Sequence, residues 1–136
     1  MTWRRSLVRI AGFNVDELRK RLSEVMDRRE ALDARMRALQ AEREDETRKA
    51  EQDAEFGFYR LGYLQGWRAR REALEVQIQV ISQEEEGARD ALTLAFEELK
   101  KYEHVEETAR VEVRRLEARR ETALLDEMGM RLAAKR

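Results

Sequence analysis

Apolar residues recur in alternating steps of three and four along almost the whole chain, and few folds can use that pattern. From Val8 the steps run through Ala11, Val15, Leu18, Leu22, Val25, Arg29, Leu32, Met36, Leu39, Arg43, Glu46 and Ala50 to Asp53, ten of the fourteen being apolar. A second run starts at Leu64. It passes through Trp67, Arg71, Leu74, Ile78, Ile81, Glu85, Ala88, Leu92, Ala95, Leu99, Tyr102, Glu106, Ala109, Val113, Leu116, Arg120, Ala123 and Glu127 to Met130, fifteen of twenty being apolar. A seam held to 3.5 residues per turn for so long belongs to helices that supercoil about one another, because a lone surface helix drifts off such a repeat. The 136 residues include no proline, which favours helix throughout and excludes turn-rich all-β folds. Charged residues make up 42% of the chain, so the buried part is a narrow seam and not a thick core. Such charge also suits a disordered chain, but disorder gives no reason to keep a register.

Between the two runs lies Phe56-Gly57-Phe58-Tyr59-Arg60-Leu61-Gly62-Tyr63-Leu64-Gln65-Gly66-Trp67, which holds three of the six glycines. Glycine is the poorest helix former after proline and the usual residue at positive φ, so the reversal is expected there. The fold expected is all-α, a long antiparallel two-helix coiled-coil hairpin forming a single domain over 1–136. Helix one is expected at about 3–56, the turn at about 57–66 and helix two at about 67–133. More chain follows the turn than precedes it, so one end of helix two is expected to overhang. The competing architecture is one long helix paired with a second copy; the glycine cluster in its middle speaks against it, and a monomer is expected. Phe13-Asn14-Val15-Asp16-Glu17-Leu18 has the form of a capping box with a hydrophobic staple, which would start the helix after Gly12. Val8 and Ala11 already keep the seam, and this favours a helix running through from about Thr2.

Polar residues interrupt the seams at Arg29, Arg43, Glu46, Asp53, Arg71, Glu85, Glu106, Arg120 and Glu127. Ions in a seam lower stability unless paired, and their best-attested use is to fix register. With a reversal near residue 62, Arg43 is expected to reach Glu85, and Glu46 the neighbourhood of Leu74 to Ile78.

Several chemistries lack their material. The chain has no cysteine and one histidine, His104, too little for thiolate metal sites, the usual zinc constellations or a Ser-His-Asp triad. Glutamate pairs such as Glu84-Glu85-Glu86 and Glu97-Glu98 have no enclosed pocket on a two-helix hairpin to raise a carboxyl pKa. Neither a GxxxxGK[ST] loop nor a GxGxxG turn is present. No catalysis, cofactor or metal is expected. No apolar run approaches the roughly 20 residues that span a bilayer, and a cytoplasmic location is expected.

Charge is more informative. Arg4, Arg5 and Arg9 stand without an acid in the first nine residues, and residues 110–136 carry eight basic side chains against five acidic. A hairpin brings these segments to one end. Acid is densest over 42–55, with seven against three, whereas 57–71 holds four arginines and no acid. A basic end invites nucleic acid, but a sequence pI near 6.0 and glutamates interleaved with the arginines weigh against it. An acidic protein surface is the expected partner. The aromatics around Phe58 either plug the end of the coil or form an exposed hot spot.

The opening Trp3-Arg4-Arg5-Ser6-Leu7-Val8-Arg9-Ile10-Ala11, the closing Arg119-Arg120-Glu121-Thr122-Ala123-Leu124-Leu125-Asp126-Glu127-Met128-Gly129 and the segment Phe96-Glu97-Glu98-Leu99-Lys100-Lys101-Tyr102 resemble the FliJ family. Members are coiled-coil components of the bacterial flagellar type III export apparatus. The likeness covers the whole chain. It implies a non-catalytic stalk, similar to the central stalk of rotary ATPases, whose terminal end enters the hexameric export ATPase and promotes its assembly and activity. It also implies contact with the export gate membrane protein and with export chaperones, at the cytoplasmic side of the inner membrane at the flagellar base. Carried over, the ATPase end comprises Trp3, Arg4, Arg5, Arg9, Arg114, Arg115, Arg119, Arg120 and Arg131. The gate-facing part comprises Glu42, Glu46, Phe58, Tyr59, Tyr63 and Trp67. The rival function is a generic chaperone or scaffold that binds client proteins through the aromatic tip.

Overall fold

The computed structural model describes residues 2–135, without the side chains of 54, 56 and 57, so the expected role of Phe56 and Gly57 lies outside the described residues. Two helices account for nearly all of it: α1 (Trp3–Gln52) and α2 (Ala54–Ala134). No strand occurs among the described residues. The helices pack against each other antiparallel: Glu42 meets Arg70, Arg28 meets Glu84 and Arg29 meets Glu85, α2 numbers rising as α1 numbers fall. The fold is the all-α hairpin that the two seams require.

Thr2 caps α1. Its hydroxyl accepts from the Arg5 amide at 3.4 Å, and its carbonyl accepts from the Ser6 amide at 3.2 Å. The helix then runs unbroken through Gly12 and Asn14, so the capping-box form at Asn14 is not used as a helix start.

The break between the helices falls at Asp53, ahead of the glycine cluster. The Asp53 amide donates to the Lys49 carbonyl at 3.1 Å, closing α1, while its carboxylate accepts from the Glu55 amide at 3.0 Å, opening α2. One aspartate thus ends one helix and caps the next. The stretch 57–66, expected to be the turn, is helical, and no glycine among the described residues has a positive φ.

This shift changes the register. Glu85 is bound by Arg29, not by Arg43 as the later turn had implied. Arg43 instead lies over the Trp67 ring, 4.4 Å from its centroid. Arg29 and Arg43 are two heptads apart in one seam, so a turn displaced by one heptad keeps every apolar residue inward while exchanging ionic partners. Glu46, likewise, shares a small cavity with Tyr59, Tyr63 and Leu64 and does not reach the expected Leu74 to Ile78.

The helices build two compact units: Asp16–Thr93, and Met1–Val15 with Leu94–Arg136. In the first, Val25, Leu39, Trp67, Ile81 and Ala88 are buried together with the carboxylate of Glu85. The Trp67 indole N–H donates to the Leu39 carbonyl at 2.9 Å, which satisfies the polar atom that so large a buried side chain carries. In the second unit Ala11, Val15 and Ala95 form the buried layer. There Glu106 receives both Arg4 and Arg5, each at 3.4 Å. Past this clamp, every described residue of α2 from Arg110 onward is exposed.

Candidate partner-binding surfaces

The basic residues expected to face an ATPase divide into two sets. Arg4 and Arg5 are held by Glu106, and the Arg4 guanidinium also lies 5.5 Å from the centroid of Trp3, which is 65% exposed. Arg9 stacks on exposed Phe13 at 5.6 Å. These contacts fix three of the four N-terminal site residues in direction and temper their charge. The second set is strung along the free part of α2, about 12 to 38 Å beyond Glu106 at 1.5 Å per residue. Arg114 pairs with Glu107 at 3.6 Å and Arg131 with Glu127 at 2.8 Å. Arg115, Arg119 and Arg120 are exposed and form no ion pair with another described residue. The basic surface is therefore a clamp followed by a long charged helix.

That helix is also apolar. Val111, Val113, Leu116, Leu124, Leu125, Met128, Met130 and Leu132 are 45% to 70% exposed. At about 100° per residue they reach around roughly 260° of the helix, and the remaining arc holds Arg115, Arg119, Thr122 and Asp126. An exposed helix with apolar side chains over so much of its circumference is normally covered by a partner.

The gate-facing residues divide as well. Phe58 is 83% exposed and Tyr59 71%, their rings edge to face at 5.4 Å, and Leu61 beside them is equally open. These three do not plug the coil. Tyr63 is half-buried, and burial, reinforced by the charge of Glu42, pushes its hydroxyl pKa up. Glu42 is held by Arg70 through both oxygens at 3.2 and 3.3 Å. Glu46 is within 3.9 Å of Lys49 on its own helix. Trp67 is 2% exposed between Arg43 and Arg71, so it offers a partner no surface and belongs to the core.

Sequence reasoning passed over two features. The first is the ladder in which Arg29 and Arg89 both bind Glu85, with Arg28 on Glu84 at 2.5 Å alongside. The Arg29 hydrogen bond, aided by Arg89 and opposed by burial, holds the Glu85 carboxyl below the usual glutamate range. Glu85 was visible as a seam position, but its partner depended on the register. The second is a groove of about 430 Å³ over Leu32, Val76, Val80 and Ile81, rimmed by Arg28 and Arg35. Val76 and Val80 lie off the seam, so periodicity gave no signal for them.

Among the described residues no group of three or more His, Asp or Glu side chains could hold a metal ion, and no helix is long and apolar enough to cross a membrane. Comparison with known proteins adds the family. The chain is 46% identical over 132 residues to a protein named flagellar FliJ protein in two strains of Caulobacter vibrioides, covering 97% of this chain and 95% of each relative. The chain belongs to the FliJ family. No family model and no solved structure matches it. Membership in the FliJ family accords with the opening, middle and closing segments singled out in the sequence, all three of which lie in the unit containing the clamp and the free helix.

Proposed function

We propose that this FliJ-family chain is a non-catalytic stalk of the flagellar protein export apparatus, whose free α2 helix is received by the ring of the export ATPase, promoting its assembly and activity. The observation that carries the reading is the free helix itself. From Val111 to Leu132 it is exposed throughout yet apolar over most of its circumference, and it carries Arg114, Arg115, Arg119, Arg120 and Arg131 among those apolar side chains. One flat surface would cover a third of such a helix. The central opening of a hexameric ring covers all of it and can meet the arginines with acidic side chains from several subunits. The Arg4–Glu106–Arg5 clamp then sets how far the helix enters.

The export gate and export chaperones are placed on the other unit, at exposed Phe58, Tyr59 and half-buried Tyr63 with Glu42 and Glu46, without Trp67. The stalk works at the cytoplasmic face of the inner membrane, at the flagellar base. The exposure of Phe58, Tyr59 and Leu61 also favours a second reading, a scaffold that binds client proteins through these side chains.

The test is stimulation of the purified export ATPase by the full chain carrying Leu125→Glu and Met128→Glu. Both side chains are exposed and off the heptad seam, so circular dichroism should not change. Stimulation is expected to fall at least about tenfold, since two anions enter an apolar collar. Unchanged stimulation overturns the insertion of this helix. Loss of client or gate binding only on Phe58→Ala and Tyr59→Ala, with no ATPase effect from either set, favours the scaffold.

A further inference from the structure

The seam that α2 shares with α1 does not stop where α1 does. It continues from Tyr102, Glu106 and Ala109 through Val113, Leu116, Arg120, Ala123, Glu127 and Met130, with every one of these last six positions exposed. We propose that this stretch pairs with the same stretch of a second copy of the chain, antiparallel, so that two hairpins join through residues 110–134 into a homodimer. The inference is independent of the ATPase reading, and its test contains no ATPase.

Continuity with the established interface gives the direction. Along residues 64–109 the seam of α2 is covered by a helix running antiparallel to it. A second copy's α2, also antiparallel, continues that track over the same face.

Charge gives the register. With the two-fold axis between Glu121 and Thr122, Val113 faces Met130 of the second copy, Leu116 faces Glu127 and Arg120 faces Ala123, with Glu127 of the second copy in the next layer within reach of the Arg120 guanidinium. On the flank of the seam Arg119 meets Asp126 of the second copy, and the two-fold repeats the pair. Arg119, Arg120 and Asp126 have no ion-pair partner among the described residues of their own chain, so the dimer supplies what the single chain lacks.

Other arrangements set like charges together. One heptad in one direction brings Asp126 onto Asp126; one in the other brings Arg119 onto Arg119 and Glu112 onto Asp126. A parallel pair stacks Arg120 on Arg120 and Glu127 on Glu127 in the seam itself. Flanking charges and buried polar positions choose partner orientation in this way. The chosen register brings Arg110 near Arg131 of the second copy, but each is already bound by a glutamate of its own chain, Glu107 at 3.8 Å and Glu127 at 2.8 Å.

The dimer has a consequence for assembly. It covers Val113, Leu116, Ala123 and Met130 while the chain waits for another partner, and any partner that encloses the free helix must first dissolve it.

Sedimentation equilibrium on the full chain, over micromolar to millimolar concentration, tests the pairing. A particle of twice 16.2 kDa is expected to appear with rising concentration. Arg119→Asp and Asp126→Arg, each alone, should raise the dissociation constant about tenfold, because each turns two attractive pairs repulsive. Combined in one chain they restore the pairs with signs exchanged, and the constant should return to within about threefold of the parent. Circular dichroism checks that the exposed substitutions leave the helices intact. A chain that stays monomeric throughout overturns the proposal. So does a dimer indifferent to these charges, or a double variant no tighter than the single ones.

Discussion

Two stretches of one helix, α2, carry the same heptad repeat and meet different fates. Over residues 67–95 the repeat places Trp67, Ile81, Glu85, Ala88 and Ala95 below 8% exposure. Over residues 113–130 it places Val113, Leu116 and Met130 at 45% or more. Periodicity states which face wants a partner, whereas burial depends on whether one is supplied. In the first stretch α1 supplies it. In the second, no described part of α1 does, and a protein that keeps so much apolar surface open over a long helix is displaying it.

The largest effect that would break this comparison is in the core. Trp67→Ala removes a buried indole and leaves a cavity beside Leu39, so a loss of about 3–5 kcal/mol is expected in thermal or urea unfolding. Leu116→Ala, at the equivalent phase of the free stretch, should stay within about 0.5 kcal/mol in dilute solution. Comparable losses would mean the free stretch is packed.

Next comes pH. Glu85 has its carboxyl pKa lowered in the fold by Arg29, and then by Arg89, so the unfolded chain binds its proton first as pH falls. The stability this gives is fully present above the usual glutamate value and is lost as pH drops from there through the lowered folded value. Glu85→Gln should therefore melt at a lower temperature near neutrality and show a flatter dependence in acid. Glu127→Gln, in the free stretch, should leave both curves unmoved. An unaltered acid slope in Glu85→Gln would show that the ladder does not hold the register.

Smaller still are the exposed features. Arg28→Ala breaks a pair with Glu84 that is half open to solvent, and about 0–1 kcal/mol is expected. Gly87→Ala and Gly129→Ala both enter open space in helix, where alanine is favoured by about 0.5–1 kcal/mol. The first should raise the cooperative melting temperature. The second should raise only helical content, by circular dichroism, because its stretch is not part of the packed hairpin.

Much of this was legible in the sequence. Two seams, no proline and an unequal division of the chain lead to an antiparallel hairpin with an overhang, and the structure has both. The reversal differs from the expectation, because glycine does not mark it. Gly62 and Gly66 sit inside α2 with no neighbour where a Cβ would stand, and nothing in the structure explains them. The break falls at Asp53, whose carboxylate caps α2. Because helices slide by whole heptads without exposing a seam, an error of one heptad in the turn left every apolar assignment standing and moved Glu85 from Arg43 to Arg29. The basic end was legible from charge alone. What composition could not reveal is that Arg4 and Arg5 are engaged by Glu106 while Arg115, Arg119 and Arg120 have no ion-pair partner among the described residues, since that division follows from register. The family resemblance assigns Trp67 to the gate-facing part, whereas its seam position points to the core, where it lies.

The most direct test of the account is amide hydrogen exchange along α2, with and without the hexameric export ATPase. Alone, and dilute enough that the chain is monomeric, residues 110–134 should exchange far faster than residues 67–95. On addition of the ATPase, protection should rise over 110–134 and stay as it was over 67–95. Protection confined to residues 58–63, or none anywhere, would contradict it.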